Sequence, residues 1–140
     1  HAVRVANNVV DGQDRVWFFA SLQDAPEGIV FRRDPNGWSE FDLCKMTGGL
    51  NVAGGRSSSL SRGSNGRIHL ALSTNAEGNR TKWYDPSLEL FHLSFSEEGN
   101  DHKIEKLTGP DEEAANWLPA LEHWDWNRAD TCCQDGHWML

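Results

Sequence analysis

Apolar and polar residues alternate along this chain in short runs, each closed by a cluster of Gly, Asn, Asp or Ser. Val9-Val10 leads through Asp11-Gly12-Gln13-Asp14 into Val16-Trp17-Phe18-Phe19-Ala20-Ser21, and Ser59-Leu60-Ser61 leads through Arg62-Gly63-Ser64-Asn65-Gly66 into Ile68-His69-Leu70-Ala71-Leu72-Ser73. A period of two bounded by turn formers predicts antiparallel hairpins. A second hairpin follows each: Gly28 to Arg33, the turn Asp34-Pro35-Asn36-Gly37 and Trp38 to Leu43; then Leu88 to Phe95, the turn Glu97 to Asp101 and Lys103 to Leu107. A third copy opens at Cys133-Gln134-Asp135-Gly136 and runs into Leu140.

Groups of four short strands recurring at an irregular period of about 50 residues predict propeller blades. The predicted fold is therefore all-β, a β-propeller fragment of about two and a half four-stranded blades in one partial domain over 1–140. Blade one spans about 3–43, blade two about 57–107, and blade three starts at about 131–140. The competing reading is a β-sandwich whose hairpins resemble one another by accident. A closed propeller needs at least four blades, and the chain begins at His1 and stops in an apolar run. It is accordingly expected to be a piece of a longer protein, with the missing blades of the same chain as its neighbours.

Predicted connections fall into two sets. Those within hairpins are short, whereas 22–27, 44–56, 74–87 and 108–130 are long. Long loops on a rigid β scaffold carry binding and catalytic groups, so the face they share is the predicted functional face. These loops concentrate aromatic and charged chemistry: Arg56 in one; Arg80, Trp83, Tyr84 and Asp85 in the next; Trp117, Glu122, His123, Trp124, Asp125, Trp126 and Arg128 in the last. Aromatic faces stack on sugar rings, and carboxylates and guanidinium groups bind hydroxyls and carboxylates, so a carbohydrate ligand is expected.

Candidate catalytic residues are Glu122, His123, Asp125 and Asp85. Candidate substrate-binding residues are Arg56, Arg80, Arg128, Trp83, Tyr84, Trp124 and Trp126. The competing reading of 116–128 is a loop that seals the seam between blades, its charges paired with one another. Trp17, Trp38 and Trp138 fall in predicted strands and read as packing between blades. His69 and His92 read as satisfied histidines of the core or the seam. Arg15 and Arg67 recur just after equivalent turns, which predicts a structural role such as binding turn carbonyls.

Charge and composition then narrow the classes. With 21 acidic against 13 basic residues and a formal net charge of −8, long-range attraction to nucleic acid or to an anionic membrane is disfavoured. No apolar stretch is long enough for a membrane span. Three cysteines, Cys44, Cys132 and Cys133, form no disulfide framework and match no zinc spacing, so neither metal nor cofactor is expected.

The blade pattern resembles the sialidase-like, BNR-repeat β-propeller superfamily over nearly the whole chain. That family carries an Asp-box, Ser-x-Asp-x-Gly-x-x-Trp, on the turn between strands three and four. The corresponding turns here read Arg32-Arg33-Asp34-Pro35-Asn36-Gly37-Trp38 and Ser94-Phe95-Ser96-Glu97-Glu98-Gly99-Asn100, both degenerate. The family's arginine triad, Tyr–Glu nucleophile and Asp acid/base do not map onto this sequence, whose one tyrosine, Tyr84, sits in a Trp-Tyr-Asp-Pro loop. The resemblance implies a glycoside hydrolase or a polysaccharide lyase; in a lyase His123 would be the base and Arg128 or Arg56 would neutralise a uronate carboxylate. It also implies a secreted or periplasmic location. The alternative is a non-catalytic propeller that binds a glycan or a protein on the same face.

Overall fold

A computed structural model describes residues 3–22, 28–50, 58–74 and 88–108. They form an all-β architecture with one short helix. The first sheet is β1 (Val3–Val10), β2 (Val16–Leu22), β3 (Gly28–Asp34) and β4 (Gly37–Asp42); the second is β5 (Ser58–Arg62), β6 (Arg67–Thr74), β7 (Glu89–Ser96) and β8 (Lys103–Lys106). Each sheet is four-stranded and antiparallel, with its strands in sequential order. Strands arise where the alternating runs lie, because the tight turns between them fix register and so decide which alternate residues face inward.

One shared core joins the sheets. Trp17, Phe19 and Val30 from the first pack with Leu60, Ile68, Leu70, Leu72, Phe91, Leu93 and Phe95 from the second, all buried. Trp17 stacks on Phe41 at 5.3 Å and meets Phe95 at 5.5 Å between ring centroids. The opposite side of the first sheet carries a smaller aromatic group, in which Phe18 stacks on Phe31 at 5.0 Å and meets Trp38 edge-on at 5.4 Å. Trp38 lies on the side of the first sheet turned away from the second by strand parity, and it is 54% exposed.

The sheets stack in the same sense. Asp11 N–H donates to the Arg15 carbonyl and Gly63 N–H to the Arg67 carbonyl, which makes Arg15 and Arg67 equivalent. Trp17 then corresponds to His69, and Phe18 to Leu70. The Trp17 side of the first sheet faces the Leu70 side of the second, so non-equivalent faces meet. Closest approach between the sheets is β1 against β5.

The segment after β4, expected to be loop from Cys44 onward, begins instead with a one-turn helix, α1 (Leu43–Thr47). Asp42 caps it by accepting from the Lys45 amide at 3.3 Å, and Gly48, at φ 74°, ends it in the left-handed region. Leu43 and Met46 on this turn are buried in the shared core. Five residues are too few for helical periodicity to register in a sequence.

At the far end Gly99, in the β7–β8 turn, has φ 77°, and a Cβ there would overlap the Phe41 ring of the first sheet. Gly99→Ala is expected to cost at least about 1–2 kcal/mol from backbone strain alone, read as a shift in the chemical denaturation midpoint.

Candidate functional site

The two ends of the paired sheets differ in chemistry. At one end lie the short turns 11–15, 35–36, 63–66 and 97–102; at the other lie α1 and the strand ends that the long connections join in sequence. All eleven sequence-predicted site residues, Arg56, Arg80, Trp83, Tyr84, Asp85, Glu122, His123, Trp124, Asp125, Trp126 and Arg128, fall outside the described residues, as do Trp117 and Trp138. What is described is the scaffold that carries these connections and the polar groups at each end.

The short-turn end holds an extended network across the seam. Asp11 is buried and accepts from the Gln13 and Arg15 amides at 2.9 and 3.0 Å, from Arg15 Nε at 2.7 Å and from Trp17 Nε1 at 2.9 Å. Arg15 then reaches the second sheet, donating to the Glu97 carbonyl at 2.8 Å and to Glu98 at 3.0 Å. Arg32 binds the same carbonyl at 2.9 Å, holds Asp34 bidentately at 2.7 and 3.2 Å, and lies over the Trp17 ring at 5.3 Å. Glu97 in turn accepts from the Gly12 amide at 3.1 Å and from Arg62 at 2.6 Å.

These partners set the carboxyl groups' titration. Burial pushes Asp11 up, but the Trp17 indole, the two amides and the Arg15 guanidinium together hold it below its ordinary value. Asp34 is held down by the Ser39 hydroxyl and then by Arg32, and Glu98 chiefly by Arg15. Every charge here has a partner, and such a network is a clasp between sheets rather than a site awaiting a ligand.

The two repeated arginines do bind turn carbonyls. Arg67 Nη2 donates to the Asp101 carbonyl at 2.6 Å within its own sheet, whereas Arg15 reaches a turn of the other sheet. Arg67 also holds Asp101 below its ordinary value. On the side of the second sheet away from the first, His69 and His92 lie nearly coplanar and share a hydrogen bond of 2.8 Å between Nδ1 and Nε2. Burial lowers the His92 pKa, opposed by nearby Glu105. The bond engages one ring nitrogen of each histidine.

At the long-connection end the described chemistry is sparser. Glu89, at the start of β7, is buried and pairs with Lys106 Nζ at 2.7 Å. Thr108 Oγ1 accepts from the Leu90 amide at 2.8 Å, and the Leu107 amide donates to the Leu90 carbonyl at 2.8 Å, prolonging the β7–β8 pairing beyond Lys106. On the first sheet, Thr47 Oγ1 donates to the Leu43 carbonyl and accepts from the Leu50 amide, which folds the chain back over α1. Sequence reasoning passed over Glu89 because it stands in an alternating run read simply as strand. The signal was parity: Glu89 shares its side of the strand with Phe91, Leu93 and Phe95.

Among the described residues no group of three or more His, Cys, Asp or Glu is placed to hold a metal ion. Likewise, among them no helix is long and apolar enough to cross a membrane. The chain matches no protein-family model, no curated protein and no solved structure.

Proposed function

We propose that this chain contributes two blades of a sialidase-like β-propeller whose long-connection face acts on carbohydrate, as a glycoside hydrolase or polysaccharide lyase. The observation that carries the reading is the same-sense stacking of two sequentially ordered four-stranded sheets, closest along their first strands, with the short turns at one end. Blades of a propeller stack in this manner, and it leaves the opposite end to the long connections.

The outer side of the first sheet supports a further blade there. Phe18 and Phe31 pair across β2 and β3 just as Leu70 and Leu93 pair across β6 and β7. Leu70 and Leu93 are fully buried against the first sheet, whereas Phe18 and Phe31 are only partly covered. By the same register a preceding blade would cover them, together with the exposed Trp38.

The chemistry assigned to the long-connection face comes from its residues: Asp85, Glu122, His123 and Asp125 for proton transfer, Arg56, Arg80 and Arg128 for acidic groups, and Trp83, Tyr84, Trp124 and Trp126 for stacking. The test is incubation of the protein with sialosides, pectic and ulvan-type polysaccharides, with products followed by mass spectrometry. Product release is the expected result. Retention on an immobilised glycan without product would replace the enzyme with a binding module, and neither turnover nor retention across the panel would overturn the carbohydrate reading.

A further inference from the structure

We propose that Glu89, with Lys106 beside it, is a ligand-binding pair at the seam between the sheets, accepting a hydroxyl of an acidic saccharide on the carboxylate and its anionic group on the ammonium. The inference rests on the reading that the long-connection face binds carbohydrate, and it adds a site from strand residues rather than from the connections.

Three observations on Glu89 converge. It is 3% exposed, and its Oε2 has no hydrogen-bond donor, although Oε1 is held by Lys106 Nζ at 2.7 Å. A buried acceptor left unsatisfied is costly and uncommon in a folded protein, so its retention calls for a partner that arrives from outside. The contrast with Asp11 is direct, since that buried carboxylate accepts from four donors.

Position supplies the second argument. Glu89 pairs with Thr74 across β6 and β7, and it continues the row Phe91, Leu93, Phe95 that looks across the seam to the first sheet. It is the last member of that row, where β7 emerges from the connection 75–87. A carboxylate at that point terminates an apolar interface and borders the face to which the loop chemistry is assigned.

Lys106 supplies the third. Its side chain is 43% exposed while that of Glu89 is 4% exposed, so the pair is buried on its acidic side and open on its basic side. An ammonium has three N–H donors, of which the bond to Glu89 occupies one. On a side chain this exposed, the remaining donors suit a carboxylate or sulfate group. An acidic saccharide offers both complements: ring hydroxyls to donate to Oε2 and an anion for Nζ.

The test is titration calorimetry of the protein with oligogalacturonate and with neutral galacto-oligosaccharides of the same length, together with thermal unfolding of each variant. Glu89→Met removes the acceptor at nearly constant volume. It is expected to weaken oligogalacturonate binding by about tenfold to a hundredfold and to leave the melting temperature unchanged or raised, because an unsatisfied buried group has gone. Lys106→Met is expected to abolish the preference for the acidic over the neutral oligomer. Glu89→Gln, which keeps shape and polarity, guards against a folding defect and is expected to weaken binding as well. Unchanged affinity in both Glu89 variants would overturn the assignment while leaving the face intact as a carbohydrate site. Lost stability in both, with affinity per folded molecule unchanged, would reduce the pair to a structural ion pair. If the unaltered protein bound neither oligomer, the reading of the face would fail first and this assignment with it.

Discussion

Replacing Asp11 with alanine is expected to destabilise the protein by about 3–5 kcal/mol, the cost of removing one partner from a buried charged pair. Asp11 is 4% exposed and satisfies four donors, two of which, Arg15 Nε and Trp17 Nε1, belong to side chains buried at the seam. Without it the Arg15 guanidinium keeps Glu98 and the Glu97 carbonyl but loses the anchor that aims it across the sheets. Guanidinium chloride unfolding at pH 7 measures the loss. A change below about 1 kcal/mol, the ordinary range of a surface substitution, would mean the clasp does not hold the seam.

The same group sets a pH dependence whose sign follows from its direction of shift. The folded-state pKa of Asp11 lies below its ordinary value of 3.8, so folding is favoured by the ionised form. That contribution is complete above about pH 4 and is lost as pH falls through the folded value. Asp34, Glu98 and Asp101 are shifted the same way by Ser39, Arg15 and Arg67 respectively. The lowered pKa of half-buried His92 acts in the same direction at higher pH, since folding favours its neutral form. Stability is therefore expected to be flat above about pH 7, to decline as pH falls through the ordinary histidine range and to drop further below about pH 4; Asp11→Asn is expected to lower the plateau and flatten the second drop.

Trp17→Ala is expected to cost a similar amount, about 3–5 kcal/mol, through a different mechanism. The indole is fully buried, lies between Phe41 and Phe95, and sits beneath the Arg32 guanidinium. Removing it opens a cavity between sheets whose backbones are held apart by their other side chains, so collapse can fill little of it. Trp17→Phe keeps most of the packing and drops only the bond to Asp11, which retains three donors; it is expected to recover more than half of the loss. Because one core serves both sheets, tryptophan fluorescence and far-ultraviolet circular dichroism should report a single coincident transition in the unaltered protein.

Much of the architecture was legible because its signals are local. The Asp11–Asp14 and Asp34–Gly37 turns, and their counterparts at Arg62–Gly66 and Glu97–Asp101, delimit alternating runs and so place the strands. Trp17 as a residue of the seam and Arg15 and Arg67 as carbonyl binders could be read from parity and from recurrence. What escaped depends on distance in sequence. Nothing near Arg15 says that its partners are Glu97 and Glu98, and strand alternation alone does not reveal that Trp38 takes the side away from the second sheet. Helix α1 was too short to leave a period, although Asp42 before it and Gly48-Gly49 after it were readable as caps. For the candidate site, residue chemistry was legible in the connections but their geometry lies outside the described residues; Glu89 was readable only by asking which face of β7 it occupies.

The uneven distribution of inter-sheet bonds has a mechanical consequence. Arg15, Arg32, Glu97 and Glu98 rivet the sheets together at the short-turn end, whereas among the described residues no ion pair crosses the seam at the end where Glu89 lies. Relative motion of the sheets must then pivot at the riveted end, like a book held at its spine, with its greatest amplitude at the opposite margin. A ligand lodged between the margins would resist that opening. Hydrogen exchange in the first residues of β7 should accordingly run faster than in its last residues, Leu93 to Ser96, which pair in the same ladder nearer the riveted end, and slow selectively when the seam is occupied.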